Sequence, residues 1–126
     1  MEGMVMSQPE SQLSRKIIAK IRDRGGFAFK IQGGPTMMAG VPDIIICYRG
    51  LFLGVETKLP SGQVSQIQKH VHGQIRAAGG TVVVVRSEEE ADRLISAIDA
   101  IATRLGLPPA GPQRAPGVSK HRADTN

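Results

Sequence analysis

Asp43, Glu56 and Lys58 are the side chains of this chain whose types and spacing best suit chemistry on an anionic substrate. Asp43 opens the apolar run Asp43 to Tyr48, Glu56 and Lys58 close the run Leu51 to Lys58, and Arg49-Gly50 lies between them. Both runs read as strands. A two-residue link containing glycine, which accepts positive φ, reads as a tight hairpin turn. Pairing Tyr48 with Leu51 then sets Asp43 opposite Glu56. Side chains alternate faces along a strand, so Glu56 and Lys58 share a face. The three groups therefore meet at the open end of the hairpin. Directly opposed carboxylates destabilise an antiparallel pair. A cation between them would remove that cost, and hard oxygen ligands suit Mg²⁺ or Mn²⁺. The alternative is a chance pair of charges at a solvated strand end.

The elements that must hold this hairpin follow from pattern. Ser7-x-x-Glu10 is a capping-box signature with Pro9 in the first turn. Leu13, Ile17, Ile18 and Ile21 continue at helical spacing, and Gly25-Gly26 ends a helix running from about Gln8 to Arg24. Phe27 to Ile31 alternates as a first strand. Gln32 to Pro42, with three Gly and two Pro, is a loop. After the hairpin, Ser65-x-x-Gln68 opens a second helix with Ile67, Val71, Ile75 and Ala78 on one face, ended by Gly79-Gly80. Thr81 to Arg86 is a β-branched run, as in a strand covered on both faces. Ser87-x-x-Glu90 starts a last helix to about Leu105, with Ala91, Leu94, Ile95, Ile98, Ile101, Ala102 and Leu105 as its apolar stripe. The order is α-β-β-β-α-β-α, a small mixed β-sheet with helices on both faces. The strand–helix–strand segment from Leu51 to Arg86 is a right-handed parallel crossover.

Length and composition bound the rest. With 126 residues the chain has room for one domain, placed at 1–106. A basic, Pro-rich tail at 107–126 has the composition of disorder. Sixteen basic against eleven acidic residues give a net charge of +5, which suits an anionic partner such as nucleic acid. Aromatics at 3% disfavour a base-stacking platform. A single cysteine, Cys47, excludes an intrachain disulfide and a cysteine-based zinc site. No apolar run approaches the length of a bilayer span. The N-terminus has no secretory pattern, so a cytoplasmic protein is expected. The loop Gln32 to Gly40 lacks the GxxxxGK spacing, so no nucleotide cofactor is expected.

Pro-Asp43 followed by Glu56-x-Lys58 resembles the PD-(D/E)xK nuclease pattern. Glu10, Gly40-Val41-Pro42-Asp43, Gly54-Val55-Glu56-Thr57-Lys58, Ser65-Gln66-Ile67-Gln68, and Gly79-Gly80 ahead of Val82 to Val85 together resemble the virus-type replication-repair nuclease family, VRR-NUC. The resemblance spans roughly Ser7 to Ser87. It implies a restriction-endonuclease-like core and a Mg²⁺- or Mn²⁺-dependent endonuclease. Asp43, Glu56, the main-chain carbonyl of Thr57 and Glu10 would be the metal ligands, with Lys58 and Gln68 completing the catalytic set. It further implies a homodimer acting on branched DNA such as four-way junctions, and a phage or prophage origin. Several residues keep a second reading. Glu10 is also explained by capping with Ser7, though the metal role is preferred, and Gln68 is explained equally by capping with Ser65. Lys58 could be a strand-end partner of Glu56, and Lys30 a phosphate contact or an ordinary surface lysine. Gly54 leaves room either for a phosphate or for tight packing. His70 and His72, two apart on a helix, do not share a face and read as solvated surface. Other functional classes left open are a flap or nicking nuclease and a non-catalytic basic DNA-binding module.

Overall fold

The computed structural model describes residues 9–111. The elements are α1 (Pro9–Asp23), β1 (Phe27–Lys30), β2 (Ile44–Tyr48), β3 (Leu51–Thr57), α2 (Gln66–Ala77), β4 (Val82–Val85) and α3 (Glu88–Arg104). Their order is the one expected, and every boundary falls within two residues of the sequence reading. The strands form one sheet in the order β1-β2-β3-β4, antiparallel except for the parallel β3–β4 pair. The register Tyr48↔Leu51 through Ile44↔Val55 is the predicted one. Arg49 and Gly50 take φ of 53° and 84°, the double positive φ of a turn whose twist matches the strands it joins.

One face of the sheet carries the main core. Leu13, Ile17 and Ile21 of α1 and Ala91, Ile95 and Ile98 of α3 pack with Ile44, Ile46, Leu53, Val55 and Val85. These positions recur at three- and four-residue steps in the helices and alternate in the strands, so each element buries one stripe. Fully burying each of the larger ones contributes about 1.5–3 kcal/mol. The opposite face is covered unevenly. The stripe expected on α2 is only partly used, because α2 lies at the β4 side of the sheet. Val71 and His72 are buried there, while Ile67 stays exposed. Toward β1 the same face leaves Phe27, Phe29 and Phe52 in solvent.

The helix ends follow from local chemistry. Ser65 and Gln68 form a reciprocal capping box. Ser87 Oγ accepts from Glu90 N, but the Glu90 carboxylate reaches one residue further back and accepts from Arg86 N at 2.8 Å. All three helices close with paired bonds back into the last turn, such as Gly26 N to Ile21 O, Gly80 N to Ile75 O and Leu107 N to Ala102 O. Ser7, the capping partner expected for Glu10, lies outside the described residues.

The first residues of the Pro-rich segment, 107–111, lie within the described structure. Leu107 and Pro108 offer their carbonyls to Arg49 Nη2 and Nε at 2.8 and 3.2 Å, and Ala110 packs against the core. Arg49 also reaches Thr103 Oγ1 and the carbonyl of Asp99, and pairs with the Asp99 carboxylate. Main-chain carbonyls serve an arginine whatever the local composition, so a Pro-rich stretch docks here. Residues 112–126 lie outside the described residues. Arg49→Ala should lower stability by roughly 1.5–3 kcal/mol, as expected for losing bonds from a charged donor. A denaturant melt showing a change below about 0.5 kcal/mol, the scale of an ordinary surface substitution, would count against this role.

Candidate active site

Asp43 stands one step beyond the last β2–β3 pair and so opposite Glu56. The loop before it is seated by Gly40, at φ 91°, where a Cβ would lie 2.7 Å from the Ile67 carbonyl oxygen of α2. Pro42 then packs on Gly54, where a Cβ would lie 2.7 Å from Pro42 Cγ. Gly54 is thus explained by tight packing, not by space for a phosphate. The Asp43 carboxylate is fixed through Oδ2, which accepts from both the main-chain N and the Oγ1 of Thr57 at 2.8 Å. Ser14 of α1 shares a 3.0 Å hydrogen bond with that hydroxyl. The helix under the sheet therefore braces the aspartate through one threonine.

Glu56 is 2% exposed. Its Oε2 accepts from Gln68 Nε2 at 3.1 Å, while Gln68 Oε1 accepts from Ser65 N at 2.9 Å. Gln68 thus makes two contacts at once: one end of its amide caps α2 and the other binds the Glu56 carboxylate. Glu56 Oε1 is buried without a hydrogen-bond partner. Desolvation first, then the charge of Asp43 and a hydrogen bond with it, push the Glu56 carboxyl up to about 8, against partial relief from Lys58. Lys58 is half-buried, and its main-chain N continues the parallel ladder by donating to Val85 O at 3.1 Å. Arg86, which sequence reasoning passed over, donates to the carbonyls of Leu59 and Gly62 and so holds the turn between β3 and α2.

Glu10 comes to the same region from α1. It lines a cavity of about 300 Å³ together with Ser11, Lys30, Asp43, Thr57 and Leu59, and its charge adds slightly to the upward shift of Glu56. Lys30 Nζ lies 3.5 Å from Ser11 Oγ on the cavity wall. His70 is exposed as expected, but His72 is not. It is 2% exposed, with Nε2 3.4 Å from Glu56 Oε1. Burial, then the charge of Arg76, hold its imidazole below the usual histidine range.

Among the described residues, no three His, Cys, Asp or Glu side chains gather into a closed ion cage. Two carboxylates with an unpartnered buried oxygen fit a cation that completes its shell with main-chain, water and substrate oxygens, which is the habit of Mg²⁺. Asp43, Glu56 and the Thr57 carbonyl would hold it, with Glu10 lining the cavity beside Asp43 and Thr57. Such an ion would polarise a phosphate oxygen and lower the pKa of a bound water.

Without metal, Glu56 has a proton-uptake signature. Its folded pKa is raised, so between about 4.5 and about 8 the folded chain binds the proton that the unfolded chain has released. Stability contributed by this group is therefore lost as pH rises through that window. Glu56→Gln removes the effect. In metal-free melts, the stability of the variant relative to wild type should grow between the two ends of the window. A constant difference would mean that Glu56 ionises normally in the folded protein.

No model of a known protein family matches the chain, and no curated protein matches it. A solved structure described as a VRR_NUC domain does. It is 25% identical, superposes with a TM-score of 0.63, and the match covers 71% of this chain and 97% of that one. A four-stranded mixed sheet flanked by helices, with a Pro-Asp and a Glu-x-Lys at the open end of its hairpin, defines a nuclease domain of the PD-(D/E)xK type. Within that class the fold of the chain is similar to that of a VRR-NUC domain.

Proposed function

We propose that this protein is a Mg²⁺- or Mn²⁺-dependent endonuclease that hydrolyses phosphodiester bonds in branched DNA. The observation that carries the proposal is the buried Glu56 carboxylate beside Asp43, with Oε1 lacking a hydrogen-bond partner. A cation there would relieve both the burial cost and the repulsion. The residues divide the work. Asp43, oriented by Thr57, and Glu56, oriented by Gln68, bind the ion. Lys58, beside Glu56, orients the attacking water or neutralises charge that develops on the phosphate. Lys30 faces the same cavity and suits a neighbouring backbone phosphate.

Four-way junctions are the preferred substrate in this reading. A junction offers two symmetric cleavage points, and a homodimer with two-fold symmetry would present one active site to each. The net charge of +5 supports DNA as the partner. Among the described residues no helix is long and apolar enough to cross a membrane, and we place the protein with DNA in the cytoplasm.

The test is cleavage of labelled duplex, flap, splayed and four-way junction DNA with Mg²⁺, with Mn²⁺ and in EDTA. Metal-dependent cutting, fastest on the junction, is expected. Undiminished cutting in chelator would sink the mechanism, and equal rates on all substrates would sink the junction preference. Binding should fall by about 10³ or more between about 50 and 200 mM salt if six or more phosphates are neutralised. A flat response would point away from nucleic acid.

A further inference from the structure

Gln68 and His72 stand one turn apart on α2, so both face Glu56. Gln68 is accounted for by its bonds to Ser65 and Glu56. His72 is not accounted for by anything above. Its imidazole is almost fully buried, and its Nε2 has no hydrogen-bond partner. A buried polar nitrogen left unpaired is a cost to folding that an apolar side chain of similar size would avoid. The atom it approaches, Glu56 Oε1 at 3.4 Å, is the other buried polar atom without a partner among the described residues. Two unpaired buried atoms set against each other point to a contact that tightens when the site is filled.

We infer that His72 is a positioning residue for Glu56. Gln68 holds Oε2 and His72 holds Oε1 from the α2 side, so the carboxylate presents a fixed orientation toward Asp43. This rests on the proposal that Glu56 binds a divalent ion. The separation lies a few tenths of an ångström beyond an ordinary N–H···O bond, within reach of a small side-chain adjustment. Partners that orient a metal-binding carboxylate typically govern affinity by about 10- to 100-fold.

The experiment compares His72→Leu, which cannot donate, with His72→Gln, which can. Mn²⁺ affinity is measured by calorimetry on DNA-free protein, DNA affinity in Ca²⁺, and single-turnover cleavage across a range of Mn²⁺ concentrations. His72→Leu should weaken Mn²⁺ binding by about 10- to 100-fold, leave DNA affinity unchanged, and regain much of its cleavage at high Mn²⁺. His72→Gln should stay within a few-fold of wild type in all three. Wild-type Mn²⁺ affinity in a folded His72→Leu protein would overturn the inference, as would equal losses in both variants. If His72→Leu fails to fold, His72→Gln decides alone: retained affinity supports the role and lost affinity overturns it. Directly bound imidazole nitrogen in the spin-echo spectrum of the Mn²⁺ protein would also overturn it, by making His72 a ligand. Wild type that neither binds Mn²⁺ nor cuts DNA would defeat the nuclease reading itself, a pattern distinct from wild type that binds and a variant that binds equally well.

Discussion

Asp43→Asn and Glu56→Gln should each abolish metal-dependent DNA cleavage while leaving a folded, cooperatively melting protein. The expected loss is large because the proposed ion would supply several kcal/mol of stabilisation to developing charge, and each 1.36 kcal/mol is tenfold in rate. The fold should survive for reasons specific to each site. Gln at position 56 removes a carboxyl that burial and Asp43 already hold protonated to about pH 8, and its amide oxygen still accepts from Gln68. Asn at position 43 keeps an oxygen for the Thr57 amide and hydroxyl. Cleavage assays beside metal-free melts decide the matter. Near-wild-type cutting by either variant, or severe destabilisation of both, would make these residues structural.

Lys58→Ala should lower the single-turnover rate by about 10²–10³, the worth of one preorganised electrostatic donor. DNA affinity in Ca²⁺ should fall only modestly, since one phosphate contact among several is lost. Metal affinity should not weaken, because the Lys58 ammonium opposes a cation at Glu56, and its charge lowers the Glu56 pKa. If rate and DNA affinity fall by the same factor, Lys58 only binds DNA.

The hairpin was legible in the sequence because its register depends on local facts: a two-residue turn and strict alternation on either side. That was enough to place Asp43 opposite Glu56 before any tertiary information. α1 and α3 were legible because each buries an apolar stripe on a broad, fully used sheet face. His72 was missed because its environment is set by how α2 packs at the β4 side of the sheet, within reach of Glu56, which no periodicity records. A polar residue beside the apolar stripe of a short helix reads as solvated until the carboxylate opposite it is known. The docking of Leu107 to Ala110 was missed for a related reason. Its anchors are main-chain carbonyls, which every sequence supplies, and the arginine that uses them lies in the β2–β3 hairpin turn, far away in sequence. The capping bond of Gln68 was legible from spacing, and its position near Glu56 was implied only by resemblance.

The loop from Gln32 to Ala39 is exposed throughout, and a Cβ on Gly33 would meet nothing within 4 Å. Its far end is pinned by Gly40 against α2, and the separation of Asp43 from Glu56 is set by the hairpin ladder. Length and composition of the loop are therefore uncoupled from the spacing of Asp43 and Glu56. Insertions in such loops cost little in chain entropy. The loop at the rim can therefore change in length or sequence without moving Asp43 relative to Glu56.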